Sequence, residues 1–205
     1  MIRSSYSKSV TRDYRGLLLV ILLLIAITPA FSQGNGKSAT IDATAMGTST
    51  QLGKTVNVKV IINHFSTDEE RQTLIAAFKK GQSPGLVDAL SKMEPAGRIA
   101  ITGTVGYDLA YIRLIRTPTG RRIRFATNRL IRFGEAYHDT RSRAYDLTAG
   151  EFDLNDSDKD KSTGVLFPAS QLIINDKGEL QFELRQNAWK LVNIIDWDKA
   201  GIERQ

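Results

Sequence analysis

Residues 98–128 constrain the fold most. They divide into three strand-forming runs, Arg98–Val105, Leu109–Arg116 and Arg121–Asn128, separated by the turn-forming segments Gly106-Tyr107-Asp108 and Thr117-Pro118-Thr119-Gly120. Connections that short join antiparallel neighbours, so the middle of the chain reads as a meander. With Pro118 and Thr119 at the centre of the second turn, Thr117 faces Gly120, Leu114 faces Ile123, Arg113 faces Arg124 and Ile112 faces Phe125. This register puts Ile112, Leu114, Ile123 and Phe125 on one face, assigned to the core. The other face receives Tyr111, Arg113, Ile115, Arg122, Arg124 and Asn128. A slip of one residue would exchange the two faces.

The flanking sequence extends this pattern. Lys54–Phe65 alternates, with Val56, Val58, Val60 and Ile62 on one side and Asn57, Lys59 and Asn63 on the other, the period of a half-buried strand. Ser66-Thr67-Asp68-Glu69-Glu70 is a capping-box signature. It opens a helix to about Lys80 with Leu74, Ile75 and Phe78 on its buried side and Gly81 past its end. Pro84 suits the first position of a second short helix, with Leu86, Val87, Leu90 and Met93 as its apolar stripe and Pro95 as its stop. Further β-like runs follow at Leu130–His138, Tyr145–Leu154 (Gly150 as a bulge), Val165–Asn175 (Pro168 as an edge or bend), Glu179–Arg185 and Trp189–Trp197. The fold class expected is α+β, mainly β. About eight antiparallel strands curl into a barrel or sandwich, with one inserted helical hairpin at about 66–93.

The N-terminus is built for export. A basic stretch precedes the apolar run Leu17–Ile27, and Ala30-Phe31-Ser32 supplies small residues for cleavage before Gln33. The run is shorter than the ~20 residues a spanning helix needs, which disfavours a retained anchor. The organisation read from this is a signal peptide at 1–32, a flexible Gly/Ser/Thr/Ala leader at 33–53, one mainly-β domain at 54–197 and a tail at 198–205. Localisation is then periplasmic or extracellular, with membrane contact only transiently through the signal. The formal charge of +6 is half signal: four bases and one acid fall within the first 32 residues, leaving 24 bases against 21 acids. So small an excess does not point to nucleic acid. The chain has no cysteine, which excludes disulfides, thiol catalysis and cysteine-ligated zinc.

Three clusters are candidates for chemistry. Arg113 opposite Arg124, with Arg122 adjacent, puts like charges across a strand pair, which destabilises unless something neutralises them. An anionic ligand held by guanidinium forks is one answer, and acidic side chains on a neighbouring strand, such as Glu179 and Glu183, are the other. Arg129, Arg132, Arg141 and Arg143 lie nearby in sequence. Asp153, Asn155, Asp156, Asp158 and Asp160 form an oxygen-rich loop, but with Asp156 first, Lys161 and Phe167 stand where a calcium loop needs Gly and Glu. Glu135, His138 and Asp139, with His64 distant in sequence, make an alternative polar centre whose spacing matches no known motif. Trp189 and Trp197 read as core or girdle residues ahead of a sugar platform. No nucleophile elbow or phosphate-binding glycine loop is present, and no metal site or cofactor is implied.

Gly97–Arg113 (GRIAITGTVGYDLAYIR), Gly120–Glu151 and the closing Ala188–Ile194 (AWKLVNI) resemble a family of uncharacterised secreted bacterial proteins. The resemblance implies export and a single domain, and brings no activity, ligand or catalytic residue. The expected function is an exported non-catalytic binding or scaffolding domain. Its partner would be a small anionic ligand or an envelope component, met through the arginine-rich sheet face at Arg113, Arg122 and Arg124. The alternative is a small periplasmic hydrolase or isomerase with Glu135, His138 and an arginine as its centre. An outer-membrane eight-stranded barrel is disfavoured by the charged tail, the helical pair and the weak aromatic girdles.

Overall fold

The computed structural model describes residues 38–131, 147–174, 180–184 and 187–197. Ten strands form one antiparallel sheet: β1 (Ala39–Met46), β2 (Thr55–Ile62), β3 (Gly97–Ile101), β4 (Tyr107–Leu109), β5 (Tyr111–Thr117), β6 (Gly120–Thr127), β7 (Leu147–Asn155), β8 (Thr163–Ile174), β9 (Leu180–Leu184) and β10 (Trp189–Asp196). A single helical element, α1 (Asp68–Leu90), is inserted between β2 and β3. The mainly-β class with an inserted helix is therefore as expected, and of the two layouts considered the barrel is the one adopted.

Closure follows from one broken strand. The ladder runs β4-β3-β2-β1-β10-β8-β7-β6-β5, so its two ends are β4 and β5. These are consecutive in the chain, separated only by Ala110. β4 pairs with β3, and β5 with β6. The same stretch of backbone thus serves both edges and brings the sheet to a nearly closed barrel, the usual way to remove open edges. β9 lies off this path and pairs with the far half of β8, beyond Pro168. Pro168 sits where the β7–β8 register shifts, and its carbonyl accepts from the Ile131 N–H and the Thr148 hydroxyl.

The interior is packed with side chains. Ile41, Ala45, Val60, Ile99, Ile112, Phe125, Phe152, Leu166 and Trp189 are almost wholly buried in one cluster to which every strand of the β4-to-β5 ladder contributes. Phe125 and Phe152 meet at 5.7 Å between ring centroids. The β5–β6 register is the one read from the turn: Thr117 opposite Gly120, Arg113 opposite Arg124, Ile112 opposite Phe125. Outward positions on β1, β2, β5 and β6 carry Asp42, Thr44, Asn57, Lys59, Arg113, Arg122 and Arg124. A greasy inside and a polar outside is the reverse of a barrel that spans a bilayer.

The helical pair is also present, as two segments merged across a break at Gln82 (φ 53°, ψ −149°). Thr67 caps the first: the Glu70 N–H donates to its hydroxyl at 3.2 Å, and its own N–H donates to Glu70 Oε2 at 2.7 Å. Leu74 and Leu90 pack on Ala110 and Leu147 outside the barrel, with Leu86, Val87 and Met93 beside them.

Three expectations are corrected. The flexible leader of 33–53 contains β1, a strand flanked by β2 and β10, within a compact unit that spans Asn35–Gln205. Its inward residues are Ile41, Ala43 and Ala45, and alanine's small side chain hides the alternation in a segment that otherwise reads as linker. The turn placed at Gly106-Tyr107-Asp108 instead falls at Thr102–Gly106, so β3 ends at Ile101 and Tyr107 and Asp108 belong to a strand. Gly150 pairs in register with Phe125, and the irregularity in β7 lies earlier, between Leu147 and Ala149.

Candidate functional site

The arginine face forms as the register requires, and each guanidinium has a carboxylate. Arg113 Nη1 lies 3.0 Å from Asp68 Oδ1, in the first turn of α1. Arg122 reaches Asp153 Oδ2 at 2.6 Å and Glu151 Oε1 at 3.1 Å, while Arg124 Nε donates to Glu151 Oε2 at 2.5 Å. Asp153 stands directly opposite Arg122 on β7, and Glu151 directly opposite Arg124. The Arg122 guanidinium is held above its ordinary range, first by the Asp153 hydrogen bond and then by the Glu151 charge. Arg113 is raised first by Tyr111, with burial opposing and Asp68 adding. Acidic neighbours on β7 and α1 thus answer the like-charge problem; the side chains of Glu179 and Glu183 lie outside the described residues. Arg121, on the inward register of β6, pairs with Asp196 at the end of β10 and lies 3.5 Å from Asp156.

The other candidates divide in two groups. Glu135, His138 and Asp139 lie outside the described residues, as do Arg132, Arg141, Arg143 and Glu179. His64 is exposed on the connection from β2 to α1. In the acidic loop, Asn155 Oδ1 accepts from the Ser157 and Asp158 N–H groups at 3.0 and 2.9 Å, and Asp158 pairs with Lys161 at 3.1 Å. These oxygens are taken up in local turns. Among the described residues no three acidic or histidine side chains converge as a cation site. Trp189 is core, at 1% exposure, whereas Trp197 is 42% exposed.

A different pair of arginines lines a pocket of about 200 Å³ between the C-terminal end of α1, the β3–β4 hairpin and the end of β6. Arg98 comes from β3 and Arg129 from the residues just after β6. Ser91, Tyr107, Asp108 and Asn128 complete its polar lining. Unlike Arg113, Arg121, Arg122 and Arg124, neither Arg98 nor Arg129 has a carboxylate within ion-pair distance among the described residues. Asp108 is paired in register with Arg98 without forming a salt bridge. Gly106 (φ +88°) makes room for this arrangement: a Cβ there would come within 2.8 Å of the Ile99 carbonyl oxygen and 3.0 Å of Arg98 Nε. The site was not legible because it depends on where the β3–β4 turn falls. With the turn at Thr102–Gly106, Tyr107 and Asp108 come alongside Ile99 and Arg98.

Compared with protein-family models, curated proteins and solved structures, the chain matches none.

Proposed function

We propose that this chain is an exported, non-catalytic binding domain that holds a small oxyanion, a carboxylate or a phosphate, between Arg98 and Arg129. The observation that carries the reading is two guanidinium groups in one pocket with no ion-paired carboxylate among the described residues. Guanidinium groups bind carboxylate and phosphate through paired N–H donors, and such charge-assisted bonds are about twice as strong as neutral ones. Ser91, Tyr107 and Asn128 supply hydroxyl and amide groups that orient a ligand. Asp108 disfavours heavily charged anions, so the ligand is small and carries a hydroxyl or ammonium group for that carboxylate to accept from. The arginine face of β5 and β6 balances its own charge and is structural in this reading. The export signal in the first 32 residues supports a place outside the cytoplasm.

Thermal unfolding in inorganic phosphate, acetate, lactate and glycine, at ionic strength fixed with sodium chloride, tests this. A ligand at a hundred times its Kd stabilises by about 2.7 kcal/mol, a rise of roughly 5–10 °C for a domain this size. Arg98→Met with Arg129→Met should abolish the rise, and Arg113→Met with Arg124→Met should leave it. If none of the four moves the wild-type Tm, or if the shift survives in the Arg98/Arg129 variant, the pocket is not an oxyanion site.

A further inference from the structure

Away from that pocket, a second concavity of about 510 Å³ runs across β3, β2, β1 and β10 on the outside of the barrel. The register builds it. Thr44 stands opposite Asn57, and Asp42 opposite Lys59. On the far side of β1, Asp42 pairs with Ile195 and Thr44 with Val192, so that a bulge projects Asn193 into the row. Asn193 has φ 51°, a left-handed conformation that asparagine tolerates better than most residues. Ala100, opposite Lys59, is small and leaves the trough open.

Its chemistry is neutral and hydroxyl-matching. Asp42 and Lys59 cancel each other at 3.4 Å. The side chains of Asn57, Asn193 and Thr44 make no hydrogen bond among the described residues, so they present free groups that both donate and accept. At the Asp42 end, Trp197 donates its indole N–H to Asp42 Oδ2 at 2.7 Å, which fixes a 42% exposed ring beside the trough. A fixed aromatic face next to unspent amides and a hydroxyl fits a ligand with an apolar C–H face and many hydroxyls. A nucleic acid or acidic polymer would want a net positive surface, which the Asp42–Lys59 pair denies. An extended peptide would add at a strand edge, and the backbones of β1 and β2 are already paired on both sides.

We infer that this trough is a binding site for a neutral glycan chain, with Trp197 as its stacking platform and Asn57, Asn193 and Thr44 as its hydroxyl contacts. Tryptophan fluorescence offers a direct probe, because Trp197 is exposed while Trp189 is buried. The full mature chain would be titrated with cellohexaose, chitohexaose and xylohexaose, and affinity confirmed by calorimetry. At least one should give a saturable emission change. Asn57→Ala, an exposed position whose side chain has no hydrogen-bond partner among the described residues, should weaken it tenfold or more with Tm unchanged, and Trp197→Ala should abolish it. Arg98→Met with Arg129→Met should leave it intact. The inference is overturned if none of the three sugars binds at millimolar concentration, if Asn57→Ala binds as well as wild type, or if polygalacturonate binds more tightly than all three and loses affinity in Lys59→Met.

Discussion

Gly150 stands directly across from Phe125, and a Cβ at that position would come within 2.2 Å of the ring. The absence of a side chain is what allows Phe125 to lie across β7 and reach Phe152. Gly150→Ala should therefore destabilise by about 1–3 kcal/mol through overpacking. Phe125→Leu in the same chain should recover part of that loss, since contacting residues couple. Urea midpoints of the two single variants and the double variant check this, and simple additivity would show that the ring is not the obstacle. The sequence marks the glycine but does not say which residue claims its space. The same holds for the arginines. Arg113 opposite Arg124 is readable because a short turn sets that register. Asp153 opposite Arg122 and Glu151 opposite Arg124 are not, because residues 128–146 separate β6 from β7 and no tight turn ties the two registers together.

At the scale of elements, legibility follows how much of the pattern is local. The capping box at Thr67, the valines of β2 and the β5–β6 hairpin depend on neighbours a few residues apart, and all form as read. β1 is hidden because two of its inward residues are alanines, whose pattern is too weak to stand out from a small-residue leader. The helical break is legible from Gly81 and Pro84, yet the strain falls between them. Exposed Gln82 holds a backbone conformation that is essentially glycine's alone and costs of order 1–3 kcal/mol elsewhere. Gln82→Gly should raise stability by roughly 1 kcal/mol, or about 2–4 °C in Tm. Gln82→Ala removes the same side chain but keeps the strain, so it should gain nothing. Equal melting temperatures for the two variants would place the effect in the side chain instead.

For the whole molecule, the decisive arrangement is that the sheet curls into a nearly closed barrel while the helix stays outside. The main core draws on β1 and β10 as well as on the central meander, so residues far apart in sequence unfold together. α1 contributes Leu74 and Leu90 to a separate, smaller cluster made with Ala110 and Leu147, and of its 23 residues four are buried: Leu74, Phe78, Ser83 and Leu90. Few buried contacts and an exposed outer face are the conditions for local opening below the global free energy. Native-state hydrogen exchange should therefore rank α1 amides as opening with less free energy than those of β1, β2 and β10, each 1.4 kcal/mol of difference appearing as about a tenfold faster exchange. The β1 amides carry the sharper half of the test. If they exchange as slowly as those of β2, the segment that reads as a leader is an integral stave of the barrel. If they exchange with α1 instead, closure does not depend on β1, and the core is held by the meander alone.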